Sequence, residues 1–140
     1  MRKVILATPT YDRSVGADYH FSVVQTIKLC AKNNIDVHPL LWPGEALVQH
    51  ARNALAQLAL QMEPNDIVWV DADHSWQPEW FLRLLNHDVD VVGAAYPKKS
   101  DKEEYAVRGI PRDAENGLWI VDGLGTGFLR VSKRALKRLW

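Results

Sequence analysis

The chain has 140 residues, which gives room for one hydrophobic core and no second domain. Its 17 basic and 17 acidic side chains cancel, so the net charge gives no electrostatic footprint for nucleic acid. No apolar run reaches the length of a signal peptide or a membrane span, and a cytoplasmic protein is the default expectation. In chain order the patterns predict a strand at 3–8, a helix at about 19–33, a strand at 36–41, a helix at 46–62, a strand at 67–71, a helix at 78–86 and a strand at 90–95. Such alternation argues for a mostly parallel sheet with helices on both faces. Cys30 is the single cysteine and falls on the apolar side of the first helix, so a buried thiol is expected and an internal disulfide is excluded.

Beyond Tyr96 and Pro97 the character changes. A polar loop at 98–104 precedes short strand candidates at 105–108, 118–121 and 128–131, and Ser132 is placed to cap a final helix. That helix pattern runs to Trp140 without a Gly or Pro stop, which is the expectation for a short version of a longer protein.

The most informative stretch is the apolar run Ile67, Val68, Trp69, Val70, which leads directly into Asp71, Ala72 and Asp73. A run that hides both faces reads as a buried strand, and ligands of open α/β sheets bind beyond the carboxyl ends of strands. Two carboxylates at that end repel each other unless a cation stands beside them, and their oxygens suit Mg²⁺ or Mn²⁺. The plainer alternative is that Asp71 caps the next segment and Asp73 is solvated.

The neighbouring segments add to this. Leu47, Val48, Ala51, Leu55, Leu58, Ala59 and Met62 form one apolar helix face, and Arg52 and Asn53 sit within it. Pro64, Asn65 and Asp66 break that helix, and Pro78 opens the next one with Glu79 in its first turn.

Ala51-Arg52-Asn53, the apolar strand, Asp71-Ala72-Asp73 and Pro78-Glu79, in that order, resemble the core of the family-2-like nucleotide-sugar glycosyltransferases of GT-A fold. The likeness is loose over most of the chain and closest over 46–86. It implies a three-layer α/β/α sandwich with a mostly parallel central sheet. It also implies a UDP- or GDP-sugar donor, a divalent cation held by Asp71 and Asp73, and a nucleotide cradled by Pro9, Thr10, Tyr11 and Asp12. Arg52 then supports the metal and nucleotide site, a role compatible with a plain salt bridge to Asp71. On an extended segment the side chain of His74 points away from Asp73, which places it at the surface or behind the site. His20, His38, His50 and His87 are scattered without metal-ligand spacing.

Gly123, Gly125 and Gly127 fail the dinucleotide fingerprint, because Phe128 stands where a third fingerprint glycine belongs and a strand follows. They are expected instead to allow positive φ and close approach of a donor sugar, with Gly125 and Gly127 as binding positions. Asp122 then stands ready as the general base for an acceptor hydroxyl, or else bonds local backbone in the turn. Lys98 or Lys99 assists the diphosphate if the loop folds back. Family members take their base from an acidic motif beyond the glycines and add a C-terminal His ligand; neither is present here.

The reading is a metal-dependent glycosyltransferase with an acceptor the sequence does not identify. One alternative is a nucleotide-sugar-binding domain without turnover. Another is a phosphohydrolase with Asp71 as nucleophile and Asp73 as acid/base, disfavoured because that motif usually opens the first strand, whereas here two βα units come first.

Overall fold

The computed structural model describes residues 1–98, 104–114 and 116–139. In chain order its elements are β1 (Arg2–Thr10), α1 (Ala17–Lys32), β2 (Ile35–Pro43), α2 (Val48–Gln61), β3 (Asp66–Val70), α3 (Pro78–Asn86) and β4 (Val91–Gly93). There follow β5 (Val107–Arg108), β6 (Arg112–Asp113), β7 (Trp119–Ile120), β8 (Gly123–Leu124), β9 (Phe128–Ser132) and α4 (Lys133–Leu139). The protein is a mixed α/β fold whose five-stranded sheet has the order β2-β1-β3-β9-β4. β1 is parallel to both β2 and β3, whereas β9 is antiparallel to β3 and to β4.

The four strands expected from the alternating pattern therefore share one sheet and one direction, and β9 enters between the last two of them with the opposite sense. β4 keeps only three of the six residues expected at 90–95. Two nested two-stranded ribbons, β5 with β8 and β6 with β7, fill the excursion between β4 and β9. Lys99 and Lys102, in the polar loop, lie outside the described residues, as does Trp140.

Alternation along the central strands decides which helix covers which face. Val4, Leu6, Val68 and Val70 pack with Tyr19, Val23 and Cys30 of α1 and Phe81, Leu84 and Leu85 of α3. Ile5, Ala7, Ile67 and Trp69 pack with Leu55, Ala56 and Ala59 of α2 and Leu136 of α4. All five residues of β3 are buried, which explains why its sequence is an apolar run rather than an alternating one. Pro78 occupies the first turn of α3, and the Ser132 hydroxyl accepts from the Ala135 amide at 3.2 Å, as a capping serine should.

At the buried start of β3 stands Asp66, 2% exposed, with an arginine on each carboxylate oxygen. Arg130 of β9, itself 3% exposed, reaches Oδ1 at 2.9 Å, and Arg2 of β1 reaches Oδ2 at 2.7 Å. The same arginines donate onward to backbone carbonyls, Arg2 to Leu85 and Arg130 to His87 and Val89. Three neighbouring strands and the end of α3 are thereby tied to one carboxylate.

Asp66→Ala removes that partner and leaves Arg130 buried with its charge uncompensated. Urea unfolding is expected to show a loss of about 3–5 kcal/mol, against under about 1 kcal/mol for the exposed pair variant Arg134→Ala. Burial also pushes the Cys30 thiol up to about 11. Thiolate is the reactive form, so at pH 8 the folded protein is expected to leave a thiol-specific disulfide reagent unconsumed, and to react fully once unfolded in guanidinium.

Candidate functional site

Parallel pairing of β1 with β3 brings their carboxyl ends to the same rim. β1 delivers Pro9, Thr10, Tyr11 and Asp12, and β3 delivers Asp71, Ala72 and Asp73; all line one cavity of about 520 Å³. Gly16 and Glu45 line it as well, and the Gly16 amide donates to the Ala72 carbonyl at 3.1 Å, closing α1 onto the segment after β3. The Thr10 hydroxyl is taken up by the Trp42 carbonyl at 3.1 Å, so its hydroxyl serves β2. Asp12 accepts from both the amide and the hydroxyl of Ser14, at 3.2 and 2.7 Å, and these bonds hold its carboxyl below the usual carboxylate range. Tyr11 is largely exposed, with its ring open to the cavity mouth.

Asp71 lies just past the strand, where the chain turns rather than extending: the His74 amide donates to the Asp71 carbonyl at 3.1 Å. That turn overturns the alternation expected for His74. One ligand atom from each of Asp71, Asp73 and His74 falls within 4.8 Å of the others. The His74 Nδ1 sits 2.7 Å from the Gly127 carbonyl oxygen, which can only accept. Nδ1 therefore donates to that carbonyl, which leaves Nε2 as the ring atom available to a ligand. The turn signal in the sequence is Asp71, Asp73 and Ser75 directly after an apolar run.

Arg52 links this cluster to α2. One of its terminal nitrogens donates to Asp71 Oδ1 at 3.0 Å and the other to the Thr126 hydroxyl, while its Nε is buried without a partner. The salt bridge anticipated between Arg52 and Asp71 is present, and the link to Thr126 was not anticipated. Arg13 folds over Gly44 instead of lining the cavity.

The glycine segment meets the cluster in a different way from the one expected. Neither Gly125 nor Gly127 has a positive φ. What their missing side chains admit is protein: a Cβ on Gly127 would lie 2.2 Å from His74 Cε1, 2.7 Å from the Tyr96 oxygen and 2.8 Å from Asp71 Oδ2. On Gly125 it would lie 2.4 Å from the Tyr96 oxygen and 2.7 Å from Ala106 Cβ. The Tyr96 oxygen also accepts from the Gly127 amide at 2.9 Å, and its ring stands edge-on to His74 at 4.7 Å between centroids. Tyr96 is a site-building residue for which the sequence offered no signal.

From the other side, Trp76 locks the segment after the carboxylates to α1. Its amide and its indole nitrogen donate to the hydroxyls of Ser22 and Thr26, at 3.0 and 2.9 Å, and its ring meets Tyr19 edge-on. The Tyr19 hydroxyl in turn shares a 2.6 Å hydrogen bond with Thr8 of β1.

Asp122 is not brought to this cluster. It lines a second cavity, of about 1090 Å³, and faces Arg112 at 3.8 Å while its amide donates to the Arg108 carbonyl. Lys98 pairs with Glu104 at 3.5 Å, and Lys99 lies outside the described residues.

Neither a protein-family model nor a curated protein matches the chain. The functional reading therefore rests on the motifs and on this geometry. Among the described residues no helix is long and apolar enough to cross a membrane.

Gly127→Ala should drive the new methyl into His74, Tyr96 and Asp71 together. A destabilisation of about 1–3 kcal/mol is expected by denaturant titration, with displaced His74 imidazole resonances in NMR spectra. Gly117→Ala, whose Cβ meets nothing within 4 Å but whose φ is positive, should leave the His74 resonances in place.

Proposed function

We propose that this protein is a metal-dependent glycosyltransferase of three-layer GT-A type that moves a sugar from a UDP- or GDP-sugar to an acceptor hydroxyl. The observation that carries the reading is the Asp71, Asp73 and His74 cluster at the end of β3, opening on the cavity that Pro9 to Asp12 also line. Helix packing on both sheet faces supports the layered architecture, and the order of motifs around Arg52, Asp71, Asp73 and Pro78 supports the donor class.

The donor set fits a divalent cation. Two carboxylates supply hard oxygen ligands, and an imidazole whose Nδ1 proton is held by a backbone carbonyl offers a borderline nitrogen, a mixture favouring Mn²⁺ over Mg²⁺. When bound, such an ion offsets the charge that develops on a departing diphosphate. The remaining work falls to the chain. Arg52 holds Asp71 through Oδ1, which leaves Oδ2 on the side of His74 and Gly127. Asp12 and the Tyr11 ring face the cavity where a nucleoside would lie, with Asp12 kept ionised by Ser14. In transfer, the bond from the sugar anomeric carbon to the diphosphate oxygen breaks and its electron pair leaves with the diphosphate. The acceptor oxygen forms the new bond, and its proton passes to a carboxylate on the acceptor side, a role proposed for Asp122 with an acceptor that enters from the second cavity.

Calorimetric titration with UDP and GDP, with and without Mn²⁺, tests the donor site. Asp73→Asn should weaken Mn²⁺-dependent binding at least tenfold with the fold intact, and unchanged, metal-independent binding in that variant would overturn the reading. Asp122→Asn should abolish transfer while preserving donor affinity, as expected of a group used mainly in the transition state. Donor binding by the unmodified chain without any transfer would instead establish a nucleotide-sugar-binding domain.

A further inference from the structure

The second cavity lies over the β4 edge of the sheet, beneath the excursion that carries β5 to β8. At about 1090 Å³ it is slightly larger than the usual small-molecule site. Its walls are apolar: Val91 and Leu129 from the sheet, Val107, Leu118, Trp119 and Ile120 from the excursion. Val91 is 50% exposed and Trp119 67%, so large apolar side chains remain open to a ligand. Among the described residues that line it, Asn116 and Asp122 contribute the polar side chains besides the Trp119 indole, and Asp122 is the charged one. Arg112, at 3.8 Å, offsets the Asp122 charge, so this apolar wall offers an ionic occupant no free counter-charge and admits a neutral one.

Two chain segments run straight from this cavity into the metal-ligand cluster. Leu124 lines the cavity; two residues on, Thr126 is bonded to Arg52, and Gly127 accepts from His74. Ala95 lines the cavity, and the next residue, Tyr96, stacks edge-on to His74. We infer that the second cavity binds the apolar body of an uncharged, hydroxyl-bearing acceptor, whose hydroxyl lies at the Asp122 end, toward the glycine segment. The binding half of this inference stands on the cavity alone; the acceptor role rests on the glycosyltransferase reading.

Octyl and decyl β-glucoside, kept below their micellar concentrations, serve as neutral probes, and decyl phosphate as the anionic one. Calorimetry without metal or nucleotide should show saturable one-to-one binding of both glucosides. Two added methylenes should tighten it by about tenfold. Val91→Glu should weaken binding at least tenfold, and Ile120→Ser serves if that variant does not fold. Phe21→Ser, an exposed aromatic on α1 that lines neither cavity, should leave binding unchanged. Absence of saturable binding, indifference to both cavity variants, or equal affinity for decyl phosphate would overturn the site. With Mn²⁺ and a sugar nucleotide, Val91→Glu should raise KM for decyl glucoside and leave kcat alone, and an unchanged KM would overturn the acceptor role. Failure of every acceptor to be glycosylated, with the glucosides still bound, would overturn the transferase reading and the acceptor role while the cavity's ligand class stands.

Discussion

A buried carboxylate held by two arginines fixes the register on which the rest of this molecule depends. β3 is enclosed on both faces and both edges, so it has no exposed side to correct a slip. A one-residue shift would exchange its two buried faces. Asp66 makes such a shift expensive, because its carboxylate must meet Arg2 on one neighbouring strand and Arg130 on the other. Moving β3 by one residue would turn that charge away from both partners, at a cost well beyond that of a surface ion pair. Fixing the start of a five-residue strand also fixes its end, and with it the position where Asp71 emerges.

The cluster beyond that end is held from three directions. Arg52 draws Asp71 toward α2, Trp76 fastens the following segment to α1, and Gly127 with Tyr96 seats the imidazole of His74. Each attachment comes from a different element, so the ligand atoms are positioned by the packed fold rather than by one loop. Residues held this way have little side-chain freedom left to lose, which is what the proposed cation site requires. The glycines at 125 and 127 follow from the same crowding. Their freedom at φ is unused; their lack of a side chain is the property that matters.

Much of the framework was legible because it is local. The apolar run of β3, the buried Ala51, Leu55 and Ala59 of the helix carrying Arg52, Pro78 at a helix start and Ser132 as a cap all follow from short-range rules and stand where expected, whereas Leu47, Val48 and Leu58 of the expected helix face are exposed. What could not be read is set by pairing between distant residues. Nothing near Phe128–Ser132 announces that this segment inserts between β3 and β4, since its partners lie far back in the chain. Asp66 reads as a turn residue beside Pro64 and Asn65 until two arginines, far apart in sequence, converge on it. His74 departs from strand alternation for a different reason: the strand ends at Val70, and His74 lies in the turn that follows. Asp122 immediately precedes its glycines in sequence but faces another cavity, because the excursion folds as its own pair of ribbons.

The sheet order also determines how this protein meets copies of itself. Open sheet edges invite strand-to-strand association, and both outer strands here are poorly suited to it. On one side, β2 is nine residues long but contains Pro39 and Pro43, which have no amide hydrogen to offer an incoming chain. On the other side, β4 is only three residues long. The central strands, which carry the most amyloid-like sequence in the chain, are thus shielded by flanks that resist templating, and exposure of Ile67 to Val70 requires the core itself to open.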